Sequence, residues 1–598
     1  MNWFLWLVML WLTVVMYLRF SQRTNADGTV VRYVALAHNR RVQGKVKPDV
    51  LMNLGRVDRL DVDGLLRLAA SIRKHFGDGD GGLTDGAEAG LAAGAAPMEV
   101  TDARPIGTAW LLEALWAKLE IGISIKRIAD GRRFTTAVER VLFALVCNRA
   151  IKPMSKLSAA EWASEDVVVP GLGGMDDDQA YRAMDLLVEA DTQGQVQEAV
   201  FFAVANLLNL EVDVLFFDTT STYFEADDED QDEPSNGDGD RAGGGREGFR
   251  RYGKSKDHRD DLPQIVIGLA VTRTGIPVRV WCWPGNTQDQ TLLAEVKDDL
   301  RAWKLGRVIT VVDRGFSSAD NLAYLRRAGG HYIAGMRMRD GNELVDQVLS
   351  RQGRYQQVRD NLRVKEVHLD GTEQRFVICY NPDQAERDQA KREEAIARIE
   401  AELDRIRTQR ERDRTRQLSD KARGKAEAAH LRAECALRDH PTLGRWLRQQ
   451  RNGRLVIDRA KVKAEARLDG KYLLATSDPD LSAEDVALGY KNLLEAERGF
   501  RDMKSQLLLR PVFHRLEHRI RAHVLLCWLA LLLTRVAERH SGQTWRRIER
   551  ETSRLQQVTL AGEAGTIVQT TPLRPTQRAI YQALSIDPPP RVSTFDPA

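Results

Sequence analysis

From residue 16 the chain alternates apolar and polar positions in MYLRFSQRTNADGTVVRYVALAHN, around an Asn-Ala-Asp-Gly turn, and this predicts a β-hairpin. From 106 to 205 the period becomes helical, as in TAWLLEALWAKLEI and FTTAVERVLFALVCNRAI, a pattern that fits a helical DNA-binding module and a plain helical bundle equally well. The apolar run Val212 to Phe217 then reads as a buried strand ending on Asp218. Ile265 to Val271 and Ile276 to Trp283 read as two strands around a Thr-Arg-Thr-Gly turn. Val308 to Val312 gives a strand ending on Asp313, and HYIAGM (331–336) a short one. Between these strands NTQDQTLLAEVKDDLRAW and SSADNLAYLRRAGG read as helices, the second with serine at its N-cap and glycine at its end. Further on, Ile396, Ile399, Leu403 and Ile406 make a coiled-coil-like seam, predicting a charged helical hairpin with KARGKAEAAHLRAECAL, and ARLDGKYLLATSD reads as a turn and strand.

The stretch YKNLLEAERGFRDMKSQLLLR (490–510) predicts one helix whose inner stripe holds Tyr490, Leu493, Glu497, Phe500, Lys504 and Leu507. Two of the six are charged, and Glu and Lys are seldom fully buried without a partner. Seven residues turn a helix by about 700°, so Lys504 lies only about 20° off Glu497 and roughly 10 Å along the axis. Either both charges face what the helix packs on, or the true face is rotated and both sit at its edge, reaching toward water.

Length and charge add limits. A chain of 598 residues is too long for one core, and 88 Lys plus Arg against 85 Asp plus Glu leaves a net charge of +3 that says little about partners. Local charge says more. Glu225 to Arg246 holds nine acids and two arginines among many glycines, and reads as a disordered surface loop; Arg246 to Arg259 then holds six Lys or Arg and two acids. Five separated cysteines, with no Cys-x-x-Cys, point to a reduced cytosolic protein without a cysteine-based zinc site. His514 and His518 have helical i, i+4 spacing, yet without a His-Glu-x-x-His order phosphate contact or plain solvation is the better reading. The apolar run 3–18 is slightly short for a membrane span and lacks the marks of a secretory signal. The expectation is a start at Met16, with residues 1–15 a gene-start artefact.

Two carboxylates at strand ends and one facing inward from a helix match what a hard divalent cation takes. Two such ions stabilise the attacking and leaving oxygens of a phosphoryl displacement. Each acid also has a plain reading: Asp218 before Thr-Thr-Ser-Thr as a turn cap, Asp313 as the partner of Arg314.

The element order and the Asp, Asp, Glu set resemble the DDE transposases of bacterial insertion sequences, in the subgroup with a Tyr-x2-Arg-x3-Glu-x6-Lys signature and a large insertion before the Glu helix. Tyr490, Glu497 and Lys504 fall at the signature spacing, while Leu493 stands in the Arg slot. DTTSTYFE, SKDHRDDLPQ, PGNTQD, VVDRGFSSADNL, LDGKYLLATSD and ERGFRDMKS look like family blocks, and the likeness runs from about 16 to 585. The resemblance implies an α/β fold: a ribonuclease H-like core, a mixed sheet flanked by helices, interrupted by an insertion domain and preceded by a mostly helical N-terminal region. The expected divisions are a leader (1–15), a hairpin region and linker (16–105), a helical, possible DNA-binding region (106–205), the core (206–349), the insertion with its charged hairpin (350–480), the Glu helix (481–545) and a C-terminal region (546–598). By the same resemblance Asp218, Asp313 and Glu497 hold two Mg²⁺ or Mn²⁺ ions, and the protein cleaves the element ends and joins the 3′-hydroxyls to target DNA as a cytoplasmic, nucleoid-associated homodimer with no membrane role. Tyr490, Lys504 and Arg501 would hold end phosphates, with Arg498 or Arg501 replacing the missing arginine. The run Arg250, Arg251, Lys254, Lys256, His258 and Arg259 is a DNA track by its charge, and Trp281 and Trp283 could stack on a displaced base or in the core. The alternatives are a related nuclease without strand transfer, and a DNA-binding relative that no longer cuts.

Overall fold

The computed structural model describes residues 16–24, 30–42, 45–57, 60, 64–65, 67 and 98–597, apart from 130–137, 192–193, 211, 227, 233–247, 306–307, 340–342, 452 and 564. The leader 1–15, the linker 78–97 and most of the acidic segment lie outside the described residues. Near the N-terminus β1 (Met16–Thr24), β2 (Val30–Val42) and β3 (Lys45–Arg56) form an antiparallel meander. Strand β4 (Glu99–Pro105) belongs elsewhere. It pairs with β16 (Gln556–Gly562) in a four-stranded sheet completed by β17 (Gly565–Thr570) and β18 (Val592–Pro597), so the segment 99–105 is tied to the C-terminal region.

The large sheet has nine strands, in the order β10-β11-β12-β15-β9-β8-β5-β6-β7. Its centre is β5 (Val214–Tyr223), β6 (Gln264–Thr272), β7 (Pro277–Pro284), β8 (Ile309–Val312) and β9 (His331–Met336). Later strands extend one edge: β10 (Gln356–Arg359), β11 (Leu362–His368), β12 (Arg375–Tyr380) and β15 (Lys471–Thr476). Strands β5, β8 and β9 run parallel and the other pairs antiparallel, a mixed α/β sheet with helices on both faces. Every residue of β6 is buried, as expected of a strand covered on both sides. Strand β5 runs beyond the expected end at Asp218, because Asp218 to Tyr223 continue the antiparallel ladder with Leu269 to Gln264. On its other side the parallel pairing with β8 stops at Phe217 and Val312.

Between β12 and β15 the helices Pro382–Thr415 and Asp420–Arg438 form a hairpin around Ile396, Ile399 and Ile406, with β13 (Leu447–Gln449) and β14 (Leu455–Ile457) at its base. Trp281 and Trp283 are buried and stacked on each other, rings 6.2 Å apart, with their indole N–H groups donating to Asp299 and Glu295. Both therefore belong to the core and neither offers a face to a base.

The helix Glu517–Ser541 is long and apolar enough to cross a membrane by length and composition, but 94% of its apolar window is buried inside the protein. It is apolar all round because it is packed all round, against the helices Val138–Ile151 and Asp177–Ala190 and against β7.

The expected single helix over 490–510 is two helices, Ala483–Lys491 and Leu494–Ser505, broken at Asn492 and Leu493. The buried residues of the second helix are Ala496, Gly499, Phe500 and Met503. Glu497 is exposed, whereas the Lys504 side chain is 12% exposed and reaches Thr220 of β5, so of the two charges on the expected stripe the lysine turns inward and the glutamate does not. Gly499 sets how closely this helix approaches the sheet: a Cβ there would meet Leu269 Cδ2 at 2.8 Å and Leu531 Cδ2 at 3.7 Å. Since Leu269 pairs with Asp218, the same contact sets the height of Glu497 above that carboxylate. Gly499→Val is expected to destabilise the protein by about 1–3 kcal/mol through overpacking. Thermal denaturation checks this, and Leu269→Ala in the same chain should recover part of the loss, as coupled neighbours do.

Candidate active site

Because Phe217 and Val312 are the last partners of the parallel pair, the next residues, Asp218 and Asp313, stand side by side on strands about 4.8 Å apart. Burial pushes Asp218 up to about 6; Lys256 and the Thr219 N–H oppose the rise, and the charges of Asp313 and Glu497 add to it. The three carboxylates thus act on one another through space. They are not closed up: among the described residues no three His, Cys, Asp or Glu side chains stand close enough to hold a metal ion as they are. Mutual repulsion favours that separation.

Each carboxylate is held differently. The Thr219 N–H donates to Asp218 Oδ1 at 2.8 Å. The Tyr490 hydroxyl donates to Asp313 Oδ1 at 2.7 Å, and its ring stacks on Tyr472 with centroids 6.0 Å apart. Tyr490 reaches Asp313 by passing over Gly335 of β9, where any Cβ would collide with the hydroxyl. Glu497 opens onto a cleft of about 890 Å³ that Asp313, Tyr490 and Leu493 also line.

The two lysines beside the carboxylates are pinned. Lys256 Nζ donates to the Thr219 carbonyl at 2.8 Å and to the Thr219 hydroxyl, and pairs with Asp289 at 3.0 Å. Thr219 in turn donates to Asp289 at 2.7 Å. Lys504 Nζ donates to Thr220 Oγ1 at 2.6 Å and Asp257 Oδ1 at 2.9 Å, while Arg510 pairs with the other Asp257 oxygen at 2.7 Å. Burial lowers the Lys504 ammonium, with Asp257 opposing the shift.

The remaining sequence candidates scatter. Lys254 lines the cleft. His258 is exposed, in a left-handed turn with φ of 57°. Arg259 pairs with Asp261 at 2.9 Å and covers the Tyr223 ring. Arg250 is bound by Asp230, and Arg251 by Asp232 and Glu229, so the start of the basic run is neutralised by the acidic segment before it. Arg498 turns away from the cleft to Glu538, 3.0 Å off on the long helix. Arg501 is exposed one turn beyond Glu497. The histidines go to separate partners: His518 to Asp185, His514 edge-on to Tyr181, and buried His523 to the Leu509 carbonyl. Sequence reasoning missed Gly335, Asp257 and Asp289, although the last two lie inside the quoted blocks SKDHRDDLPQ and PGNTQD.

Two family models match this chain: the N-terminal domain of the IS1634 family transposases over residues 18–82, and a transposase DDE domain over residues 238–533. The chain belongs to the DDE transposases of insertion sequences. No curated protein sequence matches it. Among solved structures, a piggyBac transposase synaptic complex with hairpin DNA is similar over 76% of this chain and 82% of that one, at 12% identity and a TM-score of 0.34, a likeness from which nothing is drawn. In this transposase the DDE-domain match takes in Asp313 and Glu497 and begins after Asp218, which its strand register brings beside Asp313.

The shifted acid gives a prediction with a definite sign. Asp218 ionises near 6 when folded and near 3.8 when free, so its ionisation costs stability, a cost that grows as pH rises from about 4 and is complete above about 6. Asp218→Asn removes that cost. Without added metal the variant should melt higher than the parent at pH 8, and the gain should fade as pH drops from 6 toward 4. Adding Mg²⁺ should raise the melting temperature of the parent and not of the variant, since an ion bound only by the folded state stabilises it. Gly335→Ala should displace the Tyr490 hydroxyl and lower DNA cleavage about as far as Tyr490→Phe does, and combining the two should add little.

Proposed function

We propose that this transposase binds the ends of its insertion sequence, cleaves the DNA there and transfers the freed 3′-hydroxyl ends to target DNA. The observation that carries the reading is that Asp218 and Asp313 directly follow the last parallel pair, Phe217 and Val312, while Asp313 and Glu497 line one cleft. The donor set is all oxygen, the preference of Mg²⁺ or Mn²⁺, and a buried carboxylate raised in part by two like charges is what a divalent cation would relieve. Asp218, Asp313 and Glu497 would hold two such ions, which supply charge stabilisation for an in-line phosphoryl displacement.

The chain's own residues prepare the site. Tyr490 fixes one oxygen of Asp313. The Thr219 N–H does the same for Asp218, and Asp289 keeps Lys256 beside that carboxylate. Lys504 and Arg510 share a single carboxylate, so the group carries net positive charge that suits a phosphate at the scissile strand. The protein would act as a homodimer bridging two ends, in the cytoplasm at the nucleoid.

The test is a cleavage and joining assay in Mg²⁺, with labelled DNA carrying the ends that flank the gene, comparing the parent with Glu497→Gln. The variant should bind as the parent does and lose cutting and joining by at least 10²-fold, the scale of removing one charge-stabilising group. Equal cutting by both would assign Glu497 a structural role. Cutting by the parent without joined products would favour a nuclease.

A further inference from the structure

The family signature expects an arginine at 493, and the basic run 250–259 was the expected DNA track; the first position is a leucine, and of the run Lys254 is the member that lines the cleft. Leu493 is 6% exposed. Arg250, Arg251, Lys256 and Arg259 are each held by a carboxylate of the chain. Unneutralised charge is concentrated instead in the cleft that starts at Asp313 and Glu497 and runs over β9 and β15 beneath the Tyr490 helix. Lys254, Arg314, Lys471 and Lys491 line it, and among the described residues none of the four is paired with a carboxylate. Arg339, farther along, is paired with Glu465.

Resting on the cleavage reading above, we propose that this cleft is a binding track for the phosphodiester backbone of the DNA strand held at the carboxylates, with Lys254, Arg314, Lys471 and Lys491 as its phosphate contacts. Three physical features support it. Lys254, Arg314, Lys471 and Lys491 outnumber the two acids that line the cleft, Asp313 and Glu497, so its wall carries net positive charge that an anionic ligand stabilises. The field is felt locally, since Lys471 adds to the lowering of the neighbouring Lys365 ammonium, which burial mainly causes. A concave wall focuses that field more strongly than a flat surface would. The track also answers the empty arginine slot, because Lys491 stands two residues before Leu493 and Arg314 follows Asp313 directly.

The test is equilibrium binding of a fluorescein-labelled DNA duplex carrying the flanking ends, by anisotropy in EDTA, across a series of salt concentrations. Each phosphate contact contributes about 0.9 to the slope of log K against log salt. Lys471→Gln and Lys491→Gln should each lower the slope by about that amount, and the pair by about twice as much. Lys491→Arg should keep the slope, which a merely structural role for the lysine stem would not explain. Arg259→Gln, in the rival basic run, should leave it unchanged. Slopes equal to the parent's in the two lysine variants, a loss confined to Arg259→Gln, or a parent whose binding ignores salt would each overturn the proposal. Cleavage plays no part in EDTA, so a chain that binds with the expected slopes but never cuts in Mg²⁺ fails the functional reading and keeps this one; cutting with unchanged slopes does the reverse.

Discussion

The parallel pairing of β5 with β8 is the contact on which the rest depends. It is only four residue pairs long, and it ends with Phe217 against Val312, so each strand delivers one aspartate at the point where the shared ladder stops. A slip of one residue would turn one of the two carboxylates to the opposite face. The register is fixed by burial. Phe216, Phe217, Val311 and Val312 are fully buried, and the two faces they serve belong to separate hydrophobic clusters, so a slip would drive each side chain into the wrong core. The third carboxylate is referred to the same frame, because Gly499 rests on Leu269 and Leu269 is the ladder partner of Asp218.

Around this frame the chain holds its cations in place with its own acids. Asp289 keeps Lys256 beside Asp218, Asp257 holds Lys504 and Arg510 together, and Asp230 and Asp232 cover Arg250 and Arg251. The loop between β5 and β6 supplies most of these groups, which explains how a sharp change of charge sign in the sequence becomes local neutralisation in space. Among the described residues, cations outnumber acids at the Lys504–Arg510 pair and in the cleft.

Much of this was legible in the sequence. Apolar runs located the central strands to within a few residues, because strands buried on both faces have few polar positions to blur them. The charged hairpin was marked by Ile396, Ile399 and Ile406 in an otherwise polar stretch. The Glu helix was misread as one continuous helix with Glu497 turned inward. Its period continued across Asn492 and Leu493, where the backbone breaks, and a periodicity count does not register a two-residue turn that preserves phase approximately. Ion pairs were invisible for a different reason: the basic run promised a DNA track by its charge alone, while the carboxylates that neutralise it come from as far as 33 positions away in Asp289 or from the acidic segment just before it. Glycines were equally mute, since Gly335 matters through the hydroxyl that passes over it from a residue more than a hundred positions later.

The leucine at 493 shows how such a substitution is accommodated. It sits in the break between the two helices, 6% exposed, where it belongs to the main core cluster and also lines the cleft, so an arginine there would set a guanidinium between that core and the cleft wall. Burying a guanidinium without a partner costs several kcal/mol, and the carboxylates within reach, Asp313 and Glu497, are the ones the site requires for other work. A leucine avoids that competition and seals the break. The charge that the position gives up is present on either side of it, at Lys491 on the preceding helix and Arg314 on the strand end, both lining the same cleft. The electrostatic requirement is therefore met by the cleft as a whole, and it constrains the sum of charges along the wall more tightly than the residue at any one position of the signature.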